Sequence, residues 1–240
     1  MNAAGRGPDV LYNQPLVILL FGPPGSGKGT QGRLIIEWLG KSIPSISTGD
    51  MLRGEIAAGT ALGRQTQAIM AAGGLVPDEL INEALAARIQ QSDCVRGFML
   101  DGYPRTVEQA IFLDKLLEER AFPPPVVIHL DVPADVLVGR MVSRRQCPRC
   151  GQMYNILSRR PKIVGRCDSD GEPLVMRRDD REEVIRERIR TYEEMTRPVL
   201  THYPSKRYFQ ISGDRSEPYI FEEIVHILEP LVRNAPDGKA

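Results

Sequence analysis

Six apolar residues, Leu16–Phe21, lead without a break into Gly22-Pro23-Pro24-Gly25-Ser26-Gly27-Lys28-Gly29-Thr30. A short run with no polar face reads as a strand buried on both sides, the habit of a parallel sheet covered by helices. The glycines that follow let backbone N–H groups converge on phosphate oxygens, and a helix starting there adds the positive end of its dipole. The spacing Gly22-x-x-x-x-Gly27-Lys28 fits the Walker A pattern, with Lys28 as the full charge for the outer phosphates. Gly29 stands where that pattern usually carries Ser or Thr, and Thr30 comes one residue later. A glycine turn that merely starts a helix is the competing account. The strand before, the helix after and the lysine in register argue against it.

Phe98–Leu100, Val126–Leu130 and Tyr208–Ile211 repeat the strand signal, each followed by a turn residue and a helical stretch. That alternation predicts an α/β fold with a parallel sheet. Helices are expected over 28–39, 50–58, 61–72, 78–91, 106–120, 134–144, 180–195 and 217–229. Pro133 should open the sixth at its first turn. Asp179 or Asp180 can cap the seventh, whose first turn carries Glu182 and Glu183. Asp101 closes the Phe98–Leu100 run. Such a residue is often a turn former, but beside a phosphate loop it reads as the carboxylate that holds Mg²⁺.

The chain has 240 residues, enough for one mid-sized unit with insertions. Its formal net charge is +0, which argues against a polyanion-coating protein and leaves phosphate recognition to local clusters of Arg and Lys. No apolar run is long enough to span a bilayer. The opening MNAAGRGPDVLYNQP lacks the regions of a secretory signal and makes a poor transit peptide, so a cytoplasmic location is expected.

Over 145–178 helical periodicity gives way to Cys, Gly and Pro. Cys147-Pro148-Arg149-Cys150, sixteen residues, and Cys167-Asp168-Ser169-Asp170 form two knuckles with zinc-ligand spacing. Three thiolates and a carboxylate make a tetrahedral set suited to Zn²⁺; Asp168 would break the symmetry that Asp170 keeps. Four protein ligands leave no open position. The metal should therefore be structural, replacing the core that an insertion of about 35 residues cannot build. A redox pair at Cys147 and Cys150 would favour a helix start, whereas Gly151 follows. Cys94 stands alone and reads as a buried apolar residue.

Further motifs keep one order and spacing from about Leu16 to Leu228. They are Ser47-Thr48-Gly49-Asp50-Met51-Leu52-Arg53, Gly74-Leu75-Val76-Pro77-Asp78 and Asp101-Gly102-Tyr103-Pro104-Arg105-Thr106, then Arg140 and Arg144, Arg177-Arg178-Asp179-Asp180, and Arg188. Together with the phosphate loop they resemble the adenylate kinases, specifically the bacterial long-lid type with a zinc-binding (Cys3Asp) lid. The resemblance implies a P-loop NTPase-type parallel sheet flanked by helices, with two insertions. The core would be 16–46, 77–144 and 179–234, the AMP-binding segment 47–76 and the zinc lid 145–178. An extension at 1–15 and a tail at 235–240 would lie outside these parts.

It further implies reversible transfer of the γ-phosphoryl group of Mg-ATP to AMP, giving two ADP. ATP would lie against Gly25, Ser26, Gly27, Lys28, Gly29 and Thr30, with Arg144, Met153, Tyr154 and Arg215. AMP would lie against Thr48, Arg53, Gly74, Leu75, Val76, Gly102, Tyr103, Pro104, Arg105 and Gln109, with Arg177 and Arg188. Lys28, Asp101, Arg105, Arg140, Arg144, Arg177 and Arg188 would carry the chemistry, and Cys147, Cys150, Cys167 and Asp170 the zinc. ATP, AMP and ADP would be the partners of a monomer that binds neither nucleic acid nor membrane.

On the residues themselves, Arg140 and Arg144 read as an i, i+4 pair on one helical face, where like charges are unfavourable unless an anion intervenes. Arg188 lies among Glu and Arg, so a structural salt-bridge face competes with a phosphate role. Tyr103 departs from the Phe usual in the family, and Ser158-Arg159-Arg160-Pro161-Lys162 is more basic than the lid leads one to expect. An acceptor other than AMP, as in a UMP/CMP kinase, and a zinc ribbon on nucleic acid are the alternatives.

Overall fold

The computed structural model describes residues 15–233. The tail expected at 235–240, and the extension expected at 1–15 but for Pro15, lie outside them. Seven strands form among the described residues: β1 (Leu16–Phe21), β2 (Ser45–Ser47), β3 (Gly97–Asp101), β4 (Val126–Asp131), β5 (Arg144–Gln146), β6 (Met153–Asn155) and β7 (Tyr208–Ser212). The helices are α1 (Lys28–Trp38), α2 (Thr48–Ala58), α3 (Ala61–Ala72), α4 (Asp78–Arg88), α5 (Val107–Glu119), α6 (Ala134–Val142), α7 (Glu182–Thr191) and α8 (Glu217–Arg233).

Five strands make one wholly parallel sheet in the order β2-β3-β1-β4-β7. Because side chains alternate along a strand, each strand feeds two cores. Val17, Leu19 and Phe21 meet Ile81 and Leu85 of α4 and Leu113 and Leu117 of α5 on one face. Leu16, Ile18 and Leu20 meet Ile35 of α1 and Ile220, Ile224 and Leu228 of α8 on the other. Burial on both faces is why these strands read as unbroken apolar runs. The loops at the carboxyl ends of β1, β3 and β4 all open on the same edge of the sheet, where ligands bind in such folds.

The segment after β2 is a helical pair set by its own caps. Ser47 Oγ accepts from Asp50 N (3.3 Å) and Thr60 Oγ1 from Gly63 N (3.0 Å), while left-handed Gly59 and Gly73 end α2 and α3.

Three expectations need correction. The sixth helix stops at Val142, so Arg144 is not on it with Arg140; Arg144 opens β5 of a separate antiparallel hairpin. The carbonyl that the next helical turn would need, Arg140 O, is taken by Asn155 Nδ2 (3.1 Å), and Ser143 O accepts from Ile156 N (2.9 Å). Pro133 stands just ahead of α6 at the cap position. Neither Asp179 nor Asp180 caps the seventh helix: α7 starts at Glu182 with Arg181 at its cap, and both aspartates turn inward to arginines. Beyond Thr191 the helix widens into a π-helical turn, Tyr192–Thr196.

Candidate active site

β1 hands the chain to a turn that only glycine can make at its first position. Gly22 has φ 144°, and a Cβ there would lie 2.6 Å from both Leu130 O and Ser26 Oγ. Gly27, left-handed at φ 98°, starts α1, so the helix N-terminus and the Gly-rich turn share one concavity. Lys28 Nζ spans that turn, donating to Gly22 O (2.6 Å) and Pro23 O (3.0 Å). Burial pulls its pKa down to about 8, against the opposing charge of Asp101. Asp101 ends β3 beside Leu20 of β1; burial pushes its carboxyl up, against the pull of Lys28 and Arg105.

A second wall comes from the β3–α5 loop and the α2–α3 pair. The Tyr103–Pro104 peptide is cis. Gly102 O accepts from Thr48 Oγ1 and Arg105 Nε, both at 2.8 Å, which ties α2 to the loop. Gln109 accepts from Arg105 N (2.7 Å) and donates to Asp78 (2.7 Å), which also accepts from Thr106 Oγ1 (2.6 Å). Arg105 is thus held from both sides, and burial lowers its pKa. The hydroxyl that distinguishes Tyr103 from Phe is not idle, since it donates to Asn82 Oδ1 at 2.6 Å. Arg53 donates to Asp50 Oδ1 (2.6 Å), and Arg177 approaches the same carboxylate at 3.8 Å.

The third wall is the base of the β5–β6 insertion. Arg144 donates through Nε to Asp180 Oδ2 (2.7 Å) and through Nη2 to Oδ1. Arg188 donates to Asp179 Oδ2 (2.9 Å) and reaches Asp180 Oδ1 at 3.4 Å. Arg188 therefore faces inward and is not part of the solvated Glu/Arg face of α7. Burial, with neighbouring cations, brings Arg177 and Arg188 down to about 10. Burial alone would raise the Asp179 carboxyl, but four guanidinium groups, Arg188 foremost, hold it below the usual range. Arg140 donates to Gly213 O (2.9 Å) and lies 3.7 Å from Asp214.

These walls enclose one cavity of about 1400 Å³. Every nucleotide-binding and catalytic residue expected from the sequence borders it, from Gly25 of the phosphate loop to Arg215 before α8. Ten Lys and Arg side chains line it against four carboxylates, Asp50, Asp101, Asp179 and Glu217. In a chain of formal net charge +0, such a local excess calls for a polyanionic ligand.

Comparison with known proteins agrees. The family model described as adenylate kinase matches residues 20–208. A Thermodesulfovibrio yellowstonii adenylate kinase is 45% identical over 213 residues, covering 88% of this chain and 98% of the relative. Adenylate kinases of Pseudothermotoga lettingae (41%; 90% of this chain, 99% of the relative) and Archaeoglobus fulgidus (42%; 89% and 98%) are similar over the same extent. The chain belongs to the adenylate kinase family. Its reaction is the reversible transfer of a phosphoryl group between ATP and AMP.

This adenylate kinase also brings the four expected metal ligands together. One ligand atom from each of Cys147, Cys150, Cys167 and Asp170 lies within 4.8 Å of all the others. Cys150 N donates to Cys147 Sγ (3.4 Å) and Tyr154 Oη to Cys167 Sγ (3.5 Å), bonds that orient thiolates. Asp168 turns elsewhere, accepting from Lys162 N at 2.8 Å. The set could hold a metal ion, and its donors suit one. Its buried surroundings are small, namely Cys147, Tyr154 and Cys167 with Leu174. Tyr154 reaches the cavity wall but is 3% exposed and belongs mainly to this cluster. Cys94 is buried beside Arg88 and its thiol is pushed up to about 11, as an inert residue requires.

Apart from Asp101, the acids of this adenylate kinase go unassigned by sequence alone. Asp50, Asp78, Asp179 and Asp180 all sit inside the recognised motifs, yet none was given a part in the site. For three of them the signal is there: arginines gathered in a partly dry cavity need counter-charges, and Asp50, Asp179 and Asp180 stand close to them in sequence, whereas Asp78 accepts from Thr106 and Gln109 instead. No helix among the described residues is long and apolar enough to cross a membrane.

Proposed function

We propose that the cavity holds Mg-ATP and AMP end to end, with the phosphate loop at one pole and the α2–α3 pair at the other. Lys28 and the loop N–H groups of 25–30 grip the ATP phosphates, while Met153, Tyr154 and Arg215 border its base. Arg53 and Arg105 fork onto the AMP phosphate, and Thr48, Gly74, Leu75, Val76, Gly102, Tyr103, Pro104 and Gln109 shape its nucleoside pocket. Arg140, Arg144, Arg177 and Arg188 surround the phosphoryl group in transit. The convergence of these cations on one cavity carries the reading.

The AMP phosphate is already anionic at neutral pH, so no general base is needed. The residues act by in-line positioning and by neutralising charge that spreads over the transferred group. Mg²⁺ arriving with ATP would supply further neutralisation, and the half-buried carboxylate of Asp101 is suited to hold it. Zn²⁺ on Cys147, Cys150, Cys167 and Asp170 would cross-link the lid, which its few buried residues support. Water competes as acceptor, so the segment 47–76 and the lid 145–178 close over the core before transfer. A reduced thiol set of this kind suits a cytoplasmic enzyme, which we take to act as a monomer.

Kinetics of two variants test the two-ended arrangement. Arg53→Ala should raise KM for AMP and leave that for ATP near the wild-type value. Arg144→Ala should do the reverse. The opposite pattern would overturn the assignment of the two poles.

A further inference from the structure

A histidine in the middle of the central sheet serves no step of that mechanism. His129 interrupts the apolar run of β4 (Val126–Asp131) and is only 3% exposed. Its two ring nitrogens each meet a tyrosine hydroxyl, Nδ1 with Tyr208 Oη at 2.8 Å and Nε2 with Tyr192 Oη at 3.0 Å. Tyr192 borders the nucleotide cavity and opens the π-helical turn after α7. Its backbone N–H bonds to Arg188 O, one turn back.

The direction of these bonds follows from counting donors. Asp131 accepts from Gln210 Nε2 (3.0 Å), which fixes the Gln210 amide with its oxygen toward Tyr208. Tyr208 Oη donates to that oxygen (3.2 Å), so its own oxygen can only accept from the histidine. A neutral imidazole that donates from Nδ1 must accept at Nε2, and Tyr192 is the donor there. One tautomer satisfies every group, and the chain runs from Tyr192 through His129, Tyr208 and Gln210 to Asp131.

We propose that His129, as its neutral Nδ1–H tautomer, is a positioning residue for phosphoryl transfer. By holding the Tyr192 hydroxyl it pins the end of α7 to the sheet and so fixes Arg188 at the cavity. π-Helical turns tend to occur at functional sites, and here the turn brings an anchored side chain one helical turn after Arg188. Protonation would turn Nε2 into a donor and leave the Tyr192 hydroxyl without its acceptor. The surroundings oppose that change. Burial dominates and lowers the pKa, helped by Arg197 and Lys28, while Asp131 and Glu193 pull the other way; the phenols of Tyr192 and Tyr208 stay neutral.

The proposal rests on Arg188 acting on the transferred phosphoryl, and the test separates the two ideas. Ring ¹⁵N correlations of His129 in the full-length enzyme should show the Nδ1–H tautomer, unchanged from pH 8 to about pH 6. Single-turnover transfer in Tyr192→Phe and in His129→Phe should each slow about tenfold, with little change in either nucleotide's KM. The double variant should be no slower than either single one. His129→Gln, which can still donate and accept, should recover part of the rate. An Nε2–H ring, an ordinary titration near pH 6.5, or normal transfer in Tyr192→Phe overturns the proposal. Arg188→Ala is the control: normal transfer in that variant would sink the site reading itself. Slow transfer there with normal transfer in Tyr192→Phe would sink only the anchor.

Discussion

Asp180 has no exposed side-chain surface, and two guanidinium groups from different elements converge on it. Arg144 opens the β5–β6 insertion, whereas Asp180 stands at its far end just before α7, so their ion pair closes the base of the insertion. Asp180→Asn keeps the shape and removes the charge. Breaking a buried ion pair from one side costs about 3–5 kcal/mol, because the remaining charge stays uncompensated. Arg144 and Arg188 keep 19% and 20% of their side-chain surface in contact with solvent, which favours the lower end. A loss of about 3 kcal/mol corresponds to a fall of roughly 6–12 °C in Tm for a chain of this size. On the proposed site, nucleotide phosphates would restore negative charge beside the same guanidinium groups, so the deficit should shrink on binding. The assay is thermal unfolding with and without a bisubstrate compound, two adenosines bridged by five phosphates. The ligand should raise Tm more in Asp180→Asn than in the wild type. A fall below about 2 °C without ligand, or an equal fall with it, would refute the idea that this carboxylate balances the empty site.

Arg105→Ala should depress turnover by about 10²–10³-fold while Tm stays near the wild-type value, since it removes charge aimed at the acceptor; steady-state ADP formation checks it. Metal analysis should find one Zn per chain. Chelation should lower Tm by several degrees before it slows turnover at low temperature. The Lys28 value of about 8 predicts a basic limb near pH 8 in kcat/KM for ATP, because that profile reports the free enzyme and the phosphates need the ammonium form. The stability term has the opposite sense. A lysine whose folded value lies below its unfolded one penalises folding at low pH, and the penalty lifts as pH rises from about 8 towards the unfolded value near 10.4. Lys28→Met should abolish both effects, as pH-dependent unfolding and kinetics would show.

What was legible follows from what leaves a repeated mark. Strands buried on both faces, such as Leu16–Phe21 and Val126–Asp131, appear as apolar runs, so the sheet was readable. β2 has one apolar residue, Ile46, between two serines and pairs only with β3, so nothing distinguished it from a loop. β5 and β6 are three residues each, with side chains mostly polar, and they pack on the small cluster of Cys147, Tyr154, Cys167 and Leu174, which no periodicity announces. Composition does not change at Tyr192, so the sequence pattern continues the seventh helix through it; the π-turn depends on tertiary partners. The four-residue spacing of Arg144 from Arg140 imitates a helix, so sequence pattern alone carries α6 on to Arg144. The helix ends earlier because Asn155, far along the chain, takes the Arg140 carbonyl. Local pattern cannot report a competitor that arrives from another strand.

The site divides along a similar line. The cations that line the cavity stand in motifs with fixed neighbours, so their place in the sequence marks each of them. Their counter-ions are dictated by the unliganded protein, where ten basic groups face four carboxylates around one cavity. On the proposed site two demands meet at one residue: Asp50 holds Arg53 when no phosphate is there, and would have to release enough of its fork when one arrives. A partly exposed pair such as Arg53 with Asp50 is weak and exchanges readily. The wholly buried Asp180 cannot exchange so freely, and its two arginines belong to the lid base and α7. The difference in burial therefore sorts the acids by task. On the proposed site the exposed one would tune nucleotide affinity, and the buried one would keep the two ends of the β5–β6 insertion joined while the cavity fills and empties.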